Sequence, residues 1–265
     1  MEHPHVSFEV VRLTRDDATL GLVPERGALV ASLVVSGREV LYLDQATLDD
    51  ATKNVRGGIP VLFPYAGKLV DGRFVAAGTT MKQHGFGRNR PWVVEEKSAS
   101  ELRARLVEDA DTQAQYPYTY EADYLVTALP RGLEVRLFVR NTGAKTMPLS
   151  PGWHPYFRCP AALKSEVTGN VEGFTADKLG NDREFDFGLL PPASGKTEFQ
   201  IPELGRVSID FSPGMRHMQF WSLPSKDFIC LEPFFGPNDT INTERRLDVL
   251  PGKVEELWMR IELDR

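Results

Sequence analysis

The sequence predicts an all-β fold, a large antiparallel β-sandwich with at most short helices. Three observations carry that reading. Apolar and charged residues alternate in several segments, the period that buries one face of a strand and leaves the other wet. Gly (22) and Pro (19) are spread along all 265 residues rather than pooled in a linker, which leaves many short apolar runs between turns. No segment keeps apolar residues at i, i+3 and i+4 for more than a turn or two.

Taken in order, residues 6–11 open with alternation, and residues 48–53 have the composition for one or two helical turns. Residues 102–106 alternate again, and residues 110–115, following Asp109, suit a second short helix. Residues 118–128 and 133–140 flank a turn centred on Pro130-Arg131, the pattern of a hairpin. Residues 257–263 close the chain with an apolar residue at every second position. No internal repeat or low-complexity stretch interrupts the series, so residues 1–265 read as one domain. A sheet of so many strands must curl, close or double over. A sandwich is the expected outcome and a closed barrel the other architecture.

Lys and Arg (31) against Asp and Glu (37) give a net charge of −6, unsuited to a nucleic-acid or anionic-membrane partner. No apolar run approaches the roughly 20 residues of a transmembrane helix. The first residues do not read as a signal peptide, so a cytoplasmic location is expected. Cys159 and Cys230 are too few for a disulfide framework or a four-thiolate zinc centre. Charge is unevenly spread. Residues 53–90 carry seven basic residues against Asp71 alone, leaving 24 basic and 36 acidic elsewhere. Such an island can draw an anion into a cleft. Lys68, Asp71 and Arg73 read as a solvated tip, whereas Arg56 and Arg88 stand beside glycine-bearing motifs.

Four segments break the alternation. Arg56-Gly57-Gly58-Ile59-Pro60-Val61-Leu62-Phe63-Pro64 dictates a particular backbone path but lacks the lysine and hydroxyl of a P-loop. Gln83-His84-Gly85-Phe86-Gly87-Arg88 is polar and basic. Gly152-Trp153-His154-Pro155-Tyr156-Phe157 sets a histidine among aromatics and prolines, where its pKa responds to its neighbours. In Cys230-Leu231-Glu232-Pro233, Glu232 is the single charge between Phe228 and Gly236, costly to bury without a partner or a role. No H-E-x-x-H or G-x-S-x-G occurs, so neither a metal site nor a serine nucleophile is expected. An acid–base set remains, and no metal or cofactor is called for.

In this order and spacing, the four motifs resemble the aldose 1-epimerase (mutarotase) family. The resemblance implies a galactose mutarotase-like supersandwich with the sugar in a cleft across one sheet. It implies His154 as general acid, Glu232 as general base and His84 as a sugar-binding residue. From the hexose-6-phosphate branch it implies substrate contacts by Arg56 and Arg88, and it places a sugar-binding aspartate at Asp182. Galactose mutarotases carry an Asn-Arg pair where this chain reads residues 63–69, which argues against galactose as the dedicated substrate.

The implied reaction interconverts the α and β anomers of a hexose or hexose phosphate. It needs Glu232 ionised and His154 protonated, a state their mutual attraction is expected to favour. Trp153 or Trp221 is available to face the sugar ring. The implied partner is a small sugar or sugar phosphate, bound by a monomer or homodimer. A non-catalytic carbohydrate-binding protein on the same fold is the alternative, and a glycosidase with two carboxylates is a remoter one.

Overall fold

The computed structural model describes residues 8–180 and 182–264. Three antiparallel sheets dominate. The largest has eight strands, in the spatial order Thr168–Gly169, Lys196–Ile201, Gly205–Phe211, Val254–Leu263, Gly132–Asn141, Tyr120–Leu129, Glu101–Val107 and Val93–Lys97. A six-stranded sheet runs Phe185–Leu189, His217–Ser222, Phe228–Phe234, Gly152–Trp153 and Val61–Leu62, with Tyr156–Arg158 also paired to Phe228–Phe234. A four-stranded meander covers Val11–Arg15 to Arg38–Glu39. The fold is the all-β, antiparallel sandwich that the alternation predicted.

Side-chain period explains the packing. In Tyr120–Leu129 every second residue is buried, and the turn at Pro130-Arg131 sets Leu129 opposite Gly132, the expected hairpin. All three sheets feed one apolar cluster, with members from Val11 to Leu263 and with Tyr124, Val135, Trp153 and Phe220 among them. The strand Phe228–Phe234 departs from one-sided burial along its whole length, with all seven of its residues buried. Ile229 and Leu231 face the shared core, while Phe228, Cys230 and Phe234 join smaller clusters on the opposite face. A strand covered on both sides can hold a carboxylate away from water, and Glu232 lies on this one.

Two expectations shift. The first strand starts at Val11; Val6 and Ser7 fall outside the described residues, and Phe8 instead lies 5.5 Å from the Arg26 guanidinium. The first helix is Gln45–Asp49 rather than 48–53, since Asp50 is extended at φ −99° and ψ 101°, beside the buried Arg26. Its Nη2 donates to the carbonyls of Thr47, Asp50 and Lys53. The second helix, Ala110–Gln115, matches its expected span and is closed by a capping box between Asp109 and Thr112. Among the described residues no helix is long and apolar enough to cross a membrane.

Gly152 sits between two strands, opposite both Phe234 and Leu62. A Cβ there would lie 2.7 Å from Phe234 Cδ1 and 2.9 Å from the Pro233 carbonyl oxygen. Gly152→Ala is therefore expected to destabilise the protein by about 1–3 kcal/mol, the usual cost of overpacking. Urea denaturation measures it, and an unchanged midpoint would show that this junction yields easily.

Candidate active site

Backbone bonds seat His154 before any side chain acts. Its N–H donates to the Pro60 carbonyl, and the N–H of Tyr156 donates to Gly58, which stitches the two proline-containing motifs together. Tyr156 then supplies the floor: its ring stacks on the imidazole at 4.6 Å and 7°, while Trp221 meets the same imidazole edge-on at 5.7 Å. Glu232 arrives from Phe228–Phe234. His154 Nε2 lies 3.4 Å from Glu232 Oε2, and the two residues are 6% and 1% exposed.

His84 approaches from the third side, its ring centroid 5.6 Å from that of His154. It adopts φ +68°, rare for a residue with a side chain, and is followed by Gly85 at φ +65°. At Gly85 any Cβ would lie 2.3 Å from the Phe63 carbonyl oxygen. The strained turn aims Nδ1 at the Gly67 N–H, 2.9 Å away. Nδ1 accepts that bond, and Nε2 lies 3.0 Å from the Gln83 side-chain amide nitrogen.

These groups line one cavity of about 260 Å³, together with Arg56, Lys68, Arg88, Glu184, Asp186, Gln219 and Trp221. Arg88 is held by a bond from Nη2 to the Gln83 carbonyl at 3.1 Å, and its buried Nε has no hydrogen-bond partner. Arg56 is placed through its backbone: its N–H donates to Thr47 Oγ1 of the first helix, and its carbonyl accepts from Asp44. Among the described residues neither arginine has a carboxylate within 4.0 Å.

The structure brings His154, Glu232, His84, Arg56 and Arg88 together on one cleft, but not Asp182. Asp182 is exposed in the loop before Phe185–Leu189 and does not line the cavity. Two and four residues on, Glu184 and Asp186 do, because the strand's period turns Phe185 into the core and its acidic neighbours to the cleft. Glu184 accepts from Trp221 Nε1 at 2.8 Å and Asp186 from Gln219 Nε2 at 2.5 Å. The alternation Glu184-Phe185-Asp186-Phe187 was the signal that would have found them. Lys68 is a second correction: it lines the cleft, with Nζ 3.8 Å from Asp186, rather than decorating a free tip. Of the two candidate tryptophans, Trp221 lines the cleft and Trp153 is buried in the core.

Electrostatics reverse one expectation. Attraction within the pair was to raise His154 and lower Glu232, but burial outweighs it. Burial, helped by the positive charge of Arg88, pulls His154 down to about 3. Burial, helped by Asp186, pushes Glu232 well above the usual carboxylate range, with Arg88 opposing. His84 is likewise held well below an ordinary histidine by burial, then by Arg88 and His154. Both shifts run against the ion pair and toward a protonated carboxyl beside a neutral imidazole.

The model of the aldose 1-epimerase family matches residues 9–199. This chain belongs to that family. Among relatives of this chain, a Cenchrus ciliaris protein named "Putative glucose-6-phosphate 1-epimerase" is 30% identical over 161 residues, covering 55% of this chain and 44% of that one. Protein LacX (chromosomal) of Lactococcus lactis subsp. lactis is 28% identical, covering 71% of this chain and 62% of its own length. This epimerase-family chain thus spans about half the length of the curated relatives it matches. The Slr1438 protein from Synechocystis sp. PCC 6803 has a TM-score of 0.91 at 27% identity, covering 100% of this chain and 98% of that one. A galactose mutarotase-like protein from Lactobacillus casei ATCC 334 shares the fold, with a TM-score of 0.78 at 22% identity over 97% of this chain and 100% of that one.

Both cleft histidines are expected to stay neutral across about pH 5–8, where an unperturbed imidazole titrates. Nitrogen-15 NMR of labelled histidine measures this directly. A midpoint near 6.5 for either ring would mean that water reaches the pair.

Proposed function

We propose that this protein is a sugar mutarotase that interconverts the α and β anomers of a hexose or hexose phosphate. One observation carries the reading: a histidine and a glutamate, buried and 3.4 Å apart, open on a cleft lined with hydroxyl-binding groups. Binding alone does not require such a pair, and ring opening does. The C1 hydroxyl must lose a proton while the ring oxygen gains one.

In the roles implied by the family, Glu232 takes the C1 proton and His154 gives its own to the ring oxygen. The C1–O5 bond breaks and a carbonyl forms at C1. Rotation about C1–C2 presents the other carbonyl face, and closure reverses both transfers. The pair carries one proton at the start. Sugar hydroxyls and the nearby Arg88 favour ionised Glu232, moving the proton to His154 as the pair closes on the substrate. Ring opening then returns the pair to the neutral form that burial favours, so neither half of the cycle leaves the pair in a trap. His84 and Gln83 line the hydroxyl-binding side of the cleft, and Trp221 offers an apolar face.

Glu232→Gln and His154→Asn are each expected to lower kcat by roughly 10²–10⁴, with sugar affinity retained, because each removes one proton carrier. The double variant is expected to lose little more, since the two act in one step. Polarimetry on freshly dissolved α-anomers checks both, and parent-like rates would make the pair structural.

A phosphorylated substrate is favoured by Arg56, Lys68 and Arg88 around the same cleft, two of them guanidiniums without a carboxylate partner. On that reading Arg56→Met raises KM far more for glucose 6-phosphate than for glucose. Equal increases would take the phosphate out of the proposal.

A further inference from the structure

Cys230 has no part in the acid–base chemistry, yet the period of its strand puts it on the same face as Glu232. Its neighbours across the sheet are Tyr156 and Trp221, the two rings that enclose His154. One ligand atom each from His154, Cys230 and Glu232 lie within 4.8 Å of one another, and all three residues are buried.

The spacing of His154 and Glu232 within this trio is informative. A hydrogen bond would close the His154–Glu232 contact to about 2.7–3.2 Å, whereas the pair stands at 3.4 Å. Bonds of about 2.0–2.1 Å from zinc to nitrogen and oxygen, set at the tetrahedral angle, give a ligand–ligand edge of about 3.4 Å. Imidazole, thiolate and carboxylate together are the donor set of a borderline-soft cation, not of magnesium or calcium, which take oxygen.

We propose that His154, Cys230 and Glu232 form a site for a divalent cation of the zinc class, which occupies the acid–base pair and blocks it. On loading, the thiol proton and the proton shared by the pair leave to solvent. One thiolate and one carboxylate then balance the two positive charges, so no net charge is buried. The fourth position faces the cleft and takes a water. The cation is a reversible inhibitor and not a resident cofactor. Resident zinc ligands hold their second ring nitrogen in a hydrogen bond, and Nδ1 of His154 is buried without one. Competition with sugar rests on the mutarotase reading; the site itself does not.

The test is titration of the metal-free protein with Co²⁺ alone, following the near-ultraviolet thiolate-to-metal band. One equivalent per chain is expected to saturate it. Cys230→Ser and Cys230→Ala are expected to abolish the band, and Cys159→Ser, which alters the other buried thiol, to keep it. His3 and His5, outside the described residues, contribute no thiolate. In polarimetry Zn²⁺ is expected to raise the sugar KM of the parent. The Cys230 variants keep parent turnover without metal and need at least tenfold more Zn²⁺ for the same effect. No band, a band that survives in both Cys230 variants, or equal inhibition of parent and variants would overturn the site. The band is read without sugar, so a chain that shows it but epimerises nothing keeps the site and loses the mutarotase reading.

Discussion

Glu232 is a carboxylate on a strand covered on both faces, and its closest titratable neighbour is an equally buried imidazole. Two such groups are tolerated only if they share a proton and stay in contact, because an isolated charge there would cost several kcal/mol. Much of the surrounding structure serves that contact. Gly152 lets the His154 segment lie against Phe234, bonds from His154 to Pro60 and from Tyr156 to Gly58 fix the backbone, and Tyr156 and Trp221 exclude water from the imidazole. Burial is also what separates this pair from a surface ion pair: it drives both groups toward neutrality.

The cleft around the pair is divided by sign. Glu184 and Asp186 stand on one strand, each engaged by a neighbouring donor, and Lys68 balances Asp186. His217 extends that side, with Nε2 2.7 Å from the Gln219 oxygen, so Gln219 is oriented from both ends. Arg56 and Arg88 come from separate loops and keep guanidinium nitrogens available to a ligand. Acidic groups that are already satisfied and basic groups that are not make the cleft a better host for a polyol or an anion than for a cation, except at the thiol-bearing floor. There Cys230 changes the chemistry, since a soft donor beside an imidazole and a carboxylate serves a metal as readily as the pair serves a proton.

Much of this was legible in one dimension. Strand period, the hairpin at Pro130-Arg131 and the scarcity of helical pattern are local properties, set by which residues alternate and where glycine and proline interrupt them, and the sheets follow them closely. The motif histidines, Glu232 and the two arginines stood out because each breaks that alternation with a residue whose burial is costly. Asp186, Glu184 and Lys68 did not stand out, since on a half-exposed strand or loop a charged residue is the ordinary case. The displaced first helix was equally hidden, because Arg26, which holds the carbonyls of Asp50 and Lys53, lies more than twenty positions away.

By itself, then, the sequence determined the all-β class, the strand faces and the kinds of group available for chemistry, because those depend on local period and residue type. Only the tertiary structure decided that His154 and Glu232 touch, that burial inverts their expected pKa directions, and that Cys230 joins them. Each of these depends on distance and exclusion from water, and both are set by strands and loops far apart in the chain.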